Sequence, residues 1–233
     1  MYDYEAIKKS WNRSDLENNN DRSIWRYKPL YPVESIIAKP LIGGTPLYFV
    51  DKLANDIGLK NVYLKDEGRN PSASFKDRAS AMVLAKALED GITLVTGAST
   101  GNAASSMSCL SASVGMKNII FVPKSAPIAK ITQLLVFGAN VVTVDGTYDQ
   151  AFDLCLKATA KYGWYNRNTG FNPYTREGKK SAAFEICEQL NWESPDYLFV
   201  SVGDGNIISG IWKGFTDLYK IGFIDKLPKM VAC

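Results

Sequence analysis

Histidine is missing from all 233 residues, which excludes a histidine-based catalytic triad, an imidazole metal site and an imidazole proton shuttle. Cysteine is scarce: Cys109, Cys155, Cys187 and Cys233 are widely spaced and form no Cys-x-x-Cys pair. That spacing fits neither a zinc module nor a disulfide framework; it reads as reduced thiols of a cytoplasmic protein, most of them packing residues. No metal site is expected. No apolar run approaches 18 residues, so no membrane span is expected, and Met1-Tyr2-Asp3-Tyr4-Glu5 is not a basic-then-apolar leader. Runs of five or six basic residues are also absent, and 27 Lys and Arg against 24 Asp and Glu leave a formal charge of only +3. A nucleic-acid partner is therefore not expected. No internal repeat or low-complexity tract occurs.

What the chain does have is core-forming material. With 46% hydrophobic residues and 12% aromatics it can bury one large domain or two small ones. The first 35 residues are polar and aromatic, with a loop at Asn18-Asn19-Asn20-Asp21 and a Trp25, Tyr27 and Tyr31 cluster that reads as packing over a domain surface. Strand-like runs follow at Leu47-Val50, Val62-Leu64, Thr93-Val95, Ile119-Val122, Val141-Val144, Leu198-Val202 and Met230-Cys233. Helical patterns separate them, and repeated strand-then-helix order predicts α/β architecture with parallel sheets.

The chemistry concentrates in three segments. The first is Asn70-Pro71-Ser72-Ala73-Ser74-Phe75-Lys76-Asp77-Arg78. It opens a stretch with Phe75, Ala79, Met82, Val83, Ala85 and Leu88 at spacings near three and four, the period of a helix with one buried face. Ser72 and Ser74 are candidate N-caps, and Asp77 falls in the first turn, where the helix dipole favours a carboxylate. Lys76 thus sits at a helix mouth. A lysine there is most often a solvated surface charge; a desolvated one is a nucleophile able to meet an aldehyde.

The second segment, Thr96-Gly97-Ala98-Ser99-Thr100-Gly101-Asn102-Ala103-Ala104-Ser105, follows the strand-like Ile92-Thr93-Leu94-Val95 and precedes a helical run. Strand, hydroxyl-rich turn and helix build an anion pocket from amides and hydroxyls. The third, Gly203-Asp204-Gly205-Asn206-Ile207, repeats that order after Tyr197-Leu198-Phe199-Val200-Ser201-Val202. On its own it reads equally as a tight ligand-free turn.

In this order, together with Ile42-Gly43-Gly44-Thr45-Pro46-Leu47, Tyr63-Leu64-Lys65-Asp66-Glu67 and Trp212-Lys213-Gly214, the segments resemble the threonine synthase branch of the fold-type II pyridoxal-phosphate enzymes. The resemblance covers nearly the whole chain. It implies two parallel-sheet α/β domains with helices on both faces and the cofactor cleft between them. The larger would comprise residues 1–78 and 172–233 and be incomplete at its C-terminal end; the smaller, 79–171, would be inserted into it. It also implies that Lys76 bonds pyridoxal phosphate through its amine, and that Asn102 hydrogen-bonds the cofactor's ring oxygen. Ser99, Thr100 and Gly101 would grip the substrate α-carboxylate, and Gly203, Asp204, Gly205, Asn206 and Ile207 would wrap the cofactor phosphate. In the last loop, Asn206 and Ile207 stand where the family has a second glycine-asparagine pair. Lys130, Asn168, Thr169 and Arg176 correspond to the site for the phosphate of O-phosphohomoserine, although the family's arginine position falls on Thr175 and Arg176 lies one place later.

The activity implied is elimination of phosphate from O-phosphohomoserine and hydration to threonine, with Lys76 as both acid and base. Alternatives are a related enzyme of β-elimination or β-replacement using serine, threonine or O-phosphoserine, and a non-catalytic remnant that binds pyridoxal phosphate. A nucleotide-binding domain is disfavoured: Gly203-x-Gly205 lacks its third glycine, position 208 being Ile. The resemblance further implies a small amino-acid substrate, a possible homodimer, and more chain beyond Cys233, including the group that faces the pyridine nitrogen.

Overall fold

The computed structural model describes residues 2–233. Helices α1 (Tyr4–Ser10) and α2 (Arg13–Glu17) open the chain, each capped by a side-chain oxygen, of Asp3 and Asn12 respectively. A kinked 3-10 segment, Ile24–Leu30, follows. Trp25, Tyr27 and Tyr31 are buried within the main apolar core. Two short strands, β1 (Leu47–Phe49) and β2 (Tyr63–Lys65), pair antiparallel around helix α3 (Asp51–Asp56). The sequence pattern had suggested parallel partners here; α3, under two turns long, does not carry the chain across a sheet face, so it doubles back.

Helix α4 (Lys76–Glu89) leads into a four-stranded, all-parallel sheet with order β5-β4-β3-β6. Its strands are β3 (Leu94–Ala98), β4 (Lys117–Pro123), β5 (Asn140–Val144) and β6 (Tyr165–Asn166). Helices α5 (Asn102–Ser113), α6 (Ile128–Val136) and α7 (Tyr148–Tyr162) make the crossovers. Beyond them, α8 (Tyr174–Lys179) and α9 (Ser181–Gln189) run nearly end to end, and β7 (Tyr197–Val200) and β8 (Lys229–Ala232) pair parallel across α10 (Asn206–Lys220). The protein is a mixed α/β fold with parallel sheets flanked by helices. Among the described residues no helix is long and apolar enough to cross a membrane.

Glycine governs how the helices stack. A Cβ on Gly178 would lie 2.0 Å from the Arg78 carbonyl oxygen, and one on Gly214 would lie 2.3 Å from that of Lys180. The α8–α9 segment is therefore pressed backbone to backbone between α4 and α10. That contact leaves side chains at 179 and 180 no route to water, and both lysines are fully buried. Lys180 has carboxylate partners in Asp217, at 2.8 Å, and Glu177, at 2.6 Å. The same carboxylates accept hydrogen bonds from Tyr2 and Tyr4, which fixes the N-terminal segment to α10.

A second buried network joins the remaining elements. Arg78, with no exposed surface, donates to Glu185 on α9 and to Glu67 in the 3-10 turn Glu67–Arg69, while Lys65 on β2 reaches Glu185 at 2.7 Å. With two cations against two carboxylates the cluster is neutral overall, which is what allows it to be buried.

Candidate active site

The mouth of α4 is built by its own sequence. Ala73 takes a left-handed backbone conformation (φ 56°), turning the chain just before the helix. The Asp77 carboxylate, fully buried, accepts from the Ser72 amide at 2.7 Å and also from its hydroxyl. Ser74 Oγ accepts from the Lys76 amide at 3.2 Å. Phe75 occupies the cap position itself and supplies no side-chain cap; the capping expected of the serines is thus partly done by Ser74, while Asp77 points back to brace the turn. The result is that Lys76 is held half-buried and lines a cavity of about 240 Å³, near the lower end for small-ligand sites, roughly 300 Å³ and upward.

The cavity sits where sheet topology predicts a ligand. From β3 the chain adds β4 and β5 on one side and β6 on the other, so the switch in direction falls between β3 and β6, where crevices open at the carboxyl ends of parallel strands. One wall is Gly97, Ala98 and Ser99 at the end of β3; the facing wall is Arg167, Asn168 and Thr169 after β6. Asn168 Oδ1 accepts from the Ala98 amide at 2.8 Å and so holds the two walls together. Ser99 Oγ accepts from the Gly101 amide at 3.1 Å, shaping the turn into α5.

The third wall is the turn after β7. Asp204 lines the cavity, and its carboxylate accepts from the Asn206 amide at 3.0 Å. Gly205 has φ 73°, a conformation glycine adopts without strain. A Cβ on Gly203 or Gly205 would meet no atom within 4 Å, so this backbone borders open space. Asn206 is buried, and its amide NH2 group donates to the Thr169 carbonyl at 3.4 Å.

Electrostatically the site is cationic. Burial, reinforced by the neighbouring Arg167 charge, holds the Lys76 amine below the ordinary lysine value, with Asp204 pulling the other way. Burial pushes the Arg167 guanidinium down to about 10 against the pull of Asp77 and Asp204. Lys179, behind the cavity, is pushed down to about 7 by burial and then by the Arg167 and Lys76 charges. Lowering a lysine's proton affinity raises its neutral fraction, and the neutral amine is the nucleophile and base.

Of the residues singled out in the sequence, Lys76, Ser99, Asn168, Thr169 and Asp204 meet at this cavity. Thr100 and Gly101 form the turn beside it, and Asn102 starts α5 with an exposed side chain. Gly203, Gly205, Asn206 and Ile207 complete the turn that carries Asp204 into α10. Lys130, in the first turn of α6, and Arg176, on α8, are exposed and lie outside the cavity wall. Three residues escaped the sequence reading: Arg167, 2% exposed on the cavity wall; Tyr148, whose hydroxyl donates to the Ala98 carbonyl at 3.2 Å; and Lys179. The only sequence signal for Arg167 was its place directly before Asn168-Thr169.

The chain is thus of the class of parallel α/β proteins whose switch-point cavity sets a half-buried lysine between a hydroxyl turn and a glycine turn. A family model described as Pyridoxal-phosphate dependent enzyme matches residues 38–233, and the chain belongs to that family. The residues present fit that cofactor, because among the described residues no carboxylate forms an ion pair with the Lys76 amine that lines the cavity, and the glycine turn offers open backbone. Among curated relatives, the chain is 42% identical to a threonine synthase of Methanocaldococcus jannaschii, covering 100% of this chain and 58% of the relative. It is 38% identical to a threonine synthase of Methanosarcina acetivorans, covering 100% and 56%. The chain thus spans a little over half the length of these relatives. Similar solved structures include the processed form of threonine deaminase isoform 2 from Solanum lycopersicum, with TM-score 0.70, 25% identity, and 81% of this chain and 50% of that one covered. Escherichia coli diaminopropionate ammonia lyase in apo form gives TM-score 0.70 at 22% identity, covering 78% and 57%.

Proposed function

We propose that this chain carries the catalytic lysine of a threonine synthase-type lyase, which eliminates phosphate from O-phosphohomoserine and adds water to give threonine. The observation that carries the reading is Lys76, a half-buried amine with a lowered proton affinity on the wall of the switch-point cavity. Similarity to two archaeal threonine synthases supports it.

Pyridoxal phosphate, when bound, supplies the electron sink. The chain's own groups do the rest. Lys76, neutral, takes the proton from the substrate Cα and then one from Cβ, the second loss expelling the γ-phosphate; once protonated it returns protons to Cγ and Cα as water adds at Cβ, so that, with no histidine in the chain, one amine works in both directions. Ser99, Thr100 and Gly101 hold the substrate α-carboxylate, Asn102 donates to the cofactor's ring oxygen, and Gly203 through Ile207 offer their turn to the cofactor phosphate. Asn168 and Thr169 border the far end of the substrate, with Lys130 and Arg176 as outer candidates for its phosphate. The same reading divides the chain into 1–78 with 172–233 and an inserted 79–171, puts the reaction in the cytoplasm, and gives the protein a homodimeric form.

Reconstitution with pyridoxal phosphate tests it. A visible absorption band, a borohydride-trapped adduct mapped to Lys76, and phosphate release from O-phosphohomoserine are expected, all lost in Lys76→Ala. Ammonia release from serine or threonine without phosphate release would move the assignment to a dehydratase, and absence of the band from the unmutated protein would overturn it.

A further inference from the structure

Two cations in this site lack a counter-ion. Arg167 is 2% exposed and lines the cavity. Its Nε and Nη2 donate to Ser80 Oγ at 3.3 Å, and its Nη1 to Thr169 Oγ1 at 3.0 Å. A guanidinium has five N–H donors; three are used, so one hydrogen on each terminal nitrogen is left over, the pair that grips an oxyanion from two sides. Lys179, fully buried behind it, makes one long hydrogen bond, to Asn206 Oδ1 at 3.4 Å. Among the described residues neither cation forms an ion pair with a carboxylate. Asp77 is committed to Ser72, and Asp204 to the Asn206 amide. By contrast, the equally buried Arg78 and Lys180 each face two carboxylates. A buried cation is costly unless an anion meets it, so this cavity is built to receive one.

We propose that Arg167 is the specificity-determining anion anchor of the cavity and grips the phosphate group of the substrate, with Lys179 adding positive field from behind. This rests on the reading of the site as one for a phosphorylated amino acid, and it gives Arg167 the part that the family resemblance implied for Arg176. Arg167 stands on the wall formed after β6, alongside Asn168 and Thr169 and across from Ser99. A substrate whose carboxylate meets the Ser99 turn therefore directs its far end toward Arg167. The glycine turn is left for the cofactor phosphate.

The test uses the pyridoxal-phosphate-loaded protein and the variants Arg167→Lys, Arg167→Met and Arg176→Ala. Binding of O-phosphohomoserine and of homoserine is followed by the change in the cofactor's absorption spectrum, and binding of inorganic phosphate by calorimetry. Arg167→Lys is expected to weaken O-phosphohomoserine and inorganic phosphate at least tenfold, because a point charge replaces a fork, while changing homoserine less than twofold. Arg176→Ala is expected to weaken O-phosphohomoserine less than Arg167→Lys does. Equal weakening of O-phosphohomoserine and homoserine would make Arg167 merely structural and overturn the proposal, as would a tenfold loss in Arg176→Ala with none in Arg167→Lys. If the unmutated protein ignores O-phosphohomoserine yet binds inorganic phosphate in an Arg167-dependent way, the substrate reading fails and the anion anchor stands. If pyridoxal phosphate itself is released by Arg167→Lys, the anchor serves the cofactor phosphate and the proposal falls. Arg167→Lys keeps one charge in place, so the comparison survives if Arg167→Met does not fold.

Discussion

Lys179 shows how a residue's chemistry is set by its neighbours. Tandem lysines in a helical stretch, Lys179-Lys180, read as a solvated face; what buries them is the pair of glycines on α10, Gly210 and Gly214, whose missing side chains let the α8–α9 backbone press in. A residue-by-residue reading cannot carry that, because the deciding residues lie some thirty positions away. The consequence is measurable as a pH effect. Lys179 has a proton affinity of about 7 in the fold against an ordinary value of 10.5, so between these limits the unfolded chain binds the extra proton. Stability then rises with pH across that window, by up to about 1.4 kcal/mol per pH unit from this group. Below pH 7 both states are protonated, and the cost of the buried charge is carried in full. Urea unfolding at pH 6, 7.5 and 9 should show the rise, and Lys179→Met should remove it, gaining most over the parent at pH 6. A parent and variant with parallel pH profiles would clear Lys179 of the effect.

Among the elements, the parallel strands were legible because short apolar runs bounded by glycine and polar turns have few other uses. The central helix was legible too: its period ran from Phe75 to Leu88, and α4 spans Lys76–Glu89. The strand β6 was not. Two residues long, it exists because Tyr165 and Asn166 pair with Val95 and Thr96 in a sheet already formed, a tertiary cause with no local pattern. The same contrast separates two glycines. Gly178→Ala drives a methyl into the Arg78 carbonyl, backbone against backbone, and is expected to destabilise by about 1–3 kcal/mol, the range for overpacking. Gly203→Ala meets nothing within 4 Å and should stay within about 0.5 kcal/mol of the parent. If the turn at 203–207 holds the cofactor phosphate, the added methyl should still weaken pyridoxal-phosphate binding several-fold. Thermal melts and cofactor titration of the two variants separate a packing glycine from a ligand glycine; loss of stability in Gly203→Ala would contradict the assignment.

For the whole molecule, the Arg78 cluster is the joint on which the site depends. It ties Thr45 and β2 near the start of the chain to α4 and to α9, and Arg78 lies two residues beyond Lys76, so the cluster fixes the helix that presents the Lys76 amine. Burial pushes the Glu185 carboxyl up, but Arg78 and Lys65 together more than offset this and hold it at about 2, against 4.5 ordinarily. A carboxyl depressed in the fold contributes stability that is complete above the unfolded value and disappears as pH falls from about 4.5 through 2. Two to three units correspond to about 3 kcal/mol. Glu185→Gln cannot titrate, so between pH 5 and 2 it should lose about 3 kcal/mol less than the parent does. At pH 7 the same variant leaves Arg78 with Glu67 alone and should be less stable than the parent by about 3–5 kcal/mol, the cost of breaking a buried pair. The two stability curves must therefore converge on acidification. Curves that stay parallel down to pH 2 would mean that acid acts elsewhere, and that the link from Lys65 through Glu185 to Arg78 does not hold the two ends of the chain together.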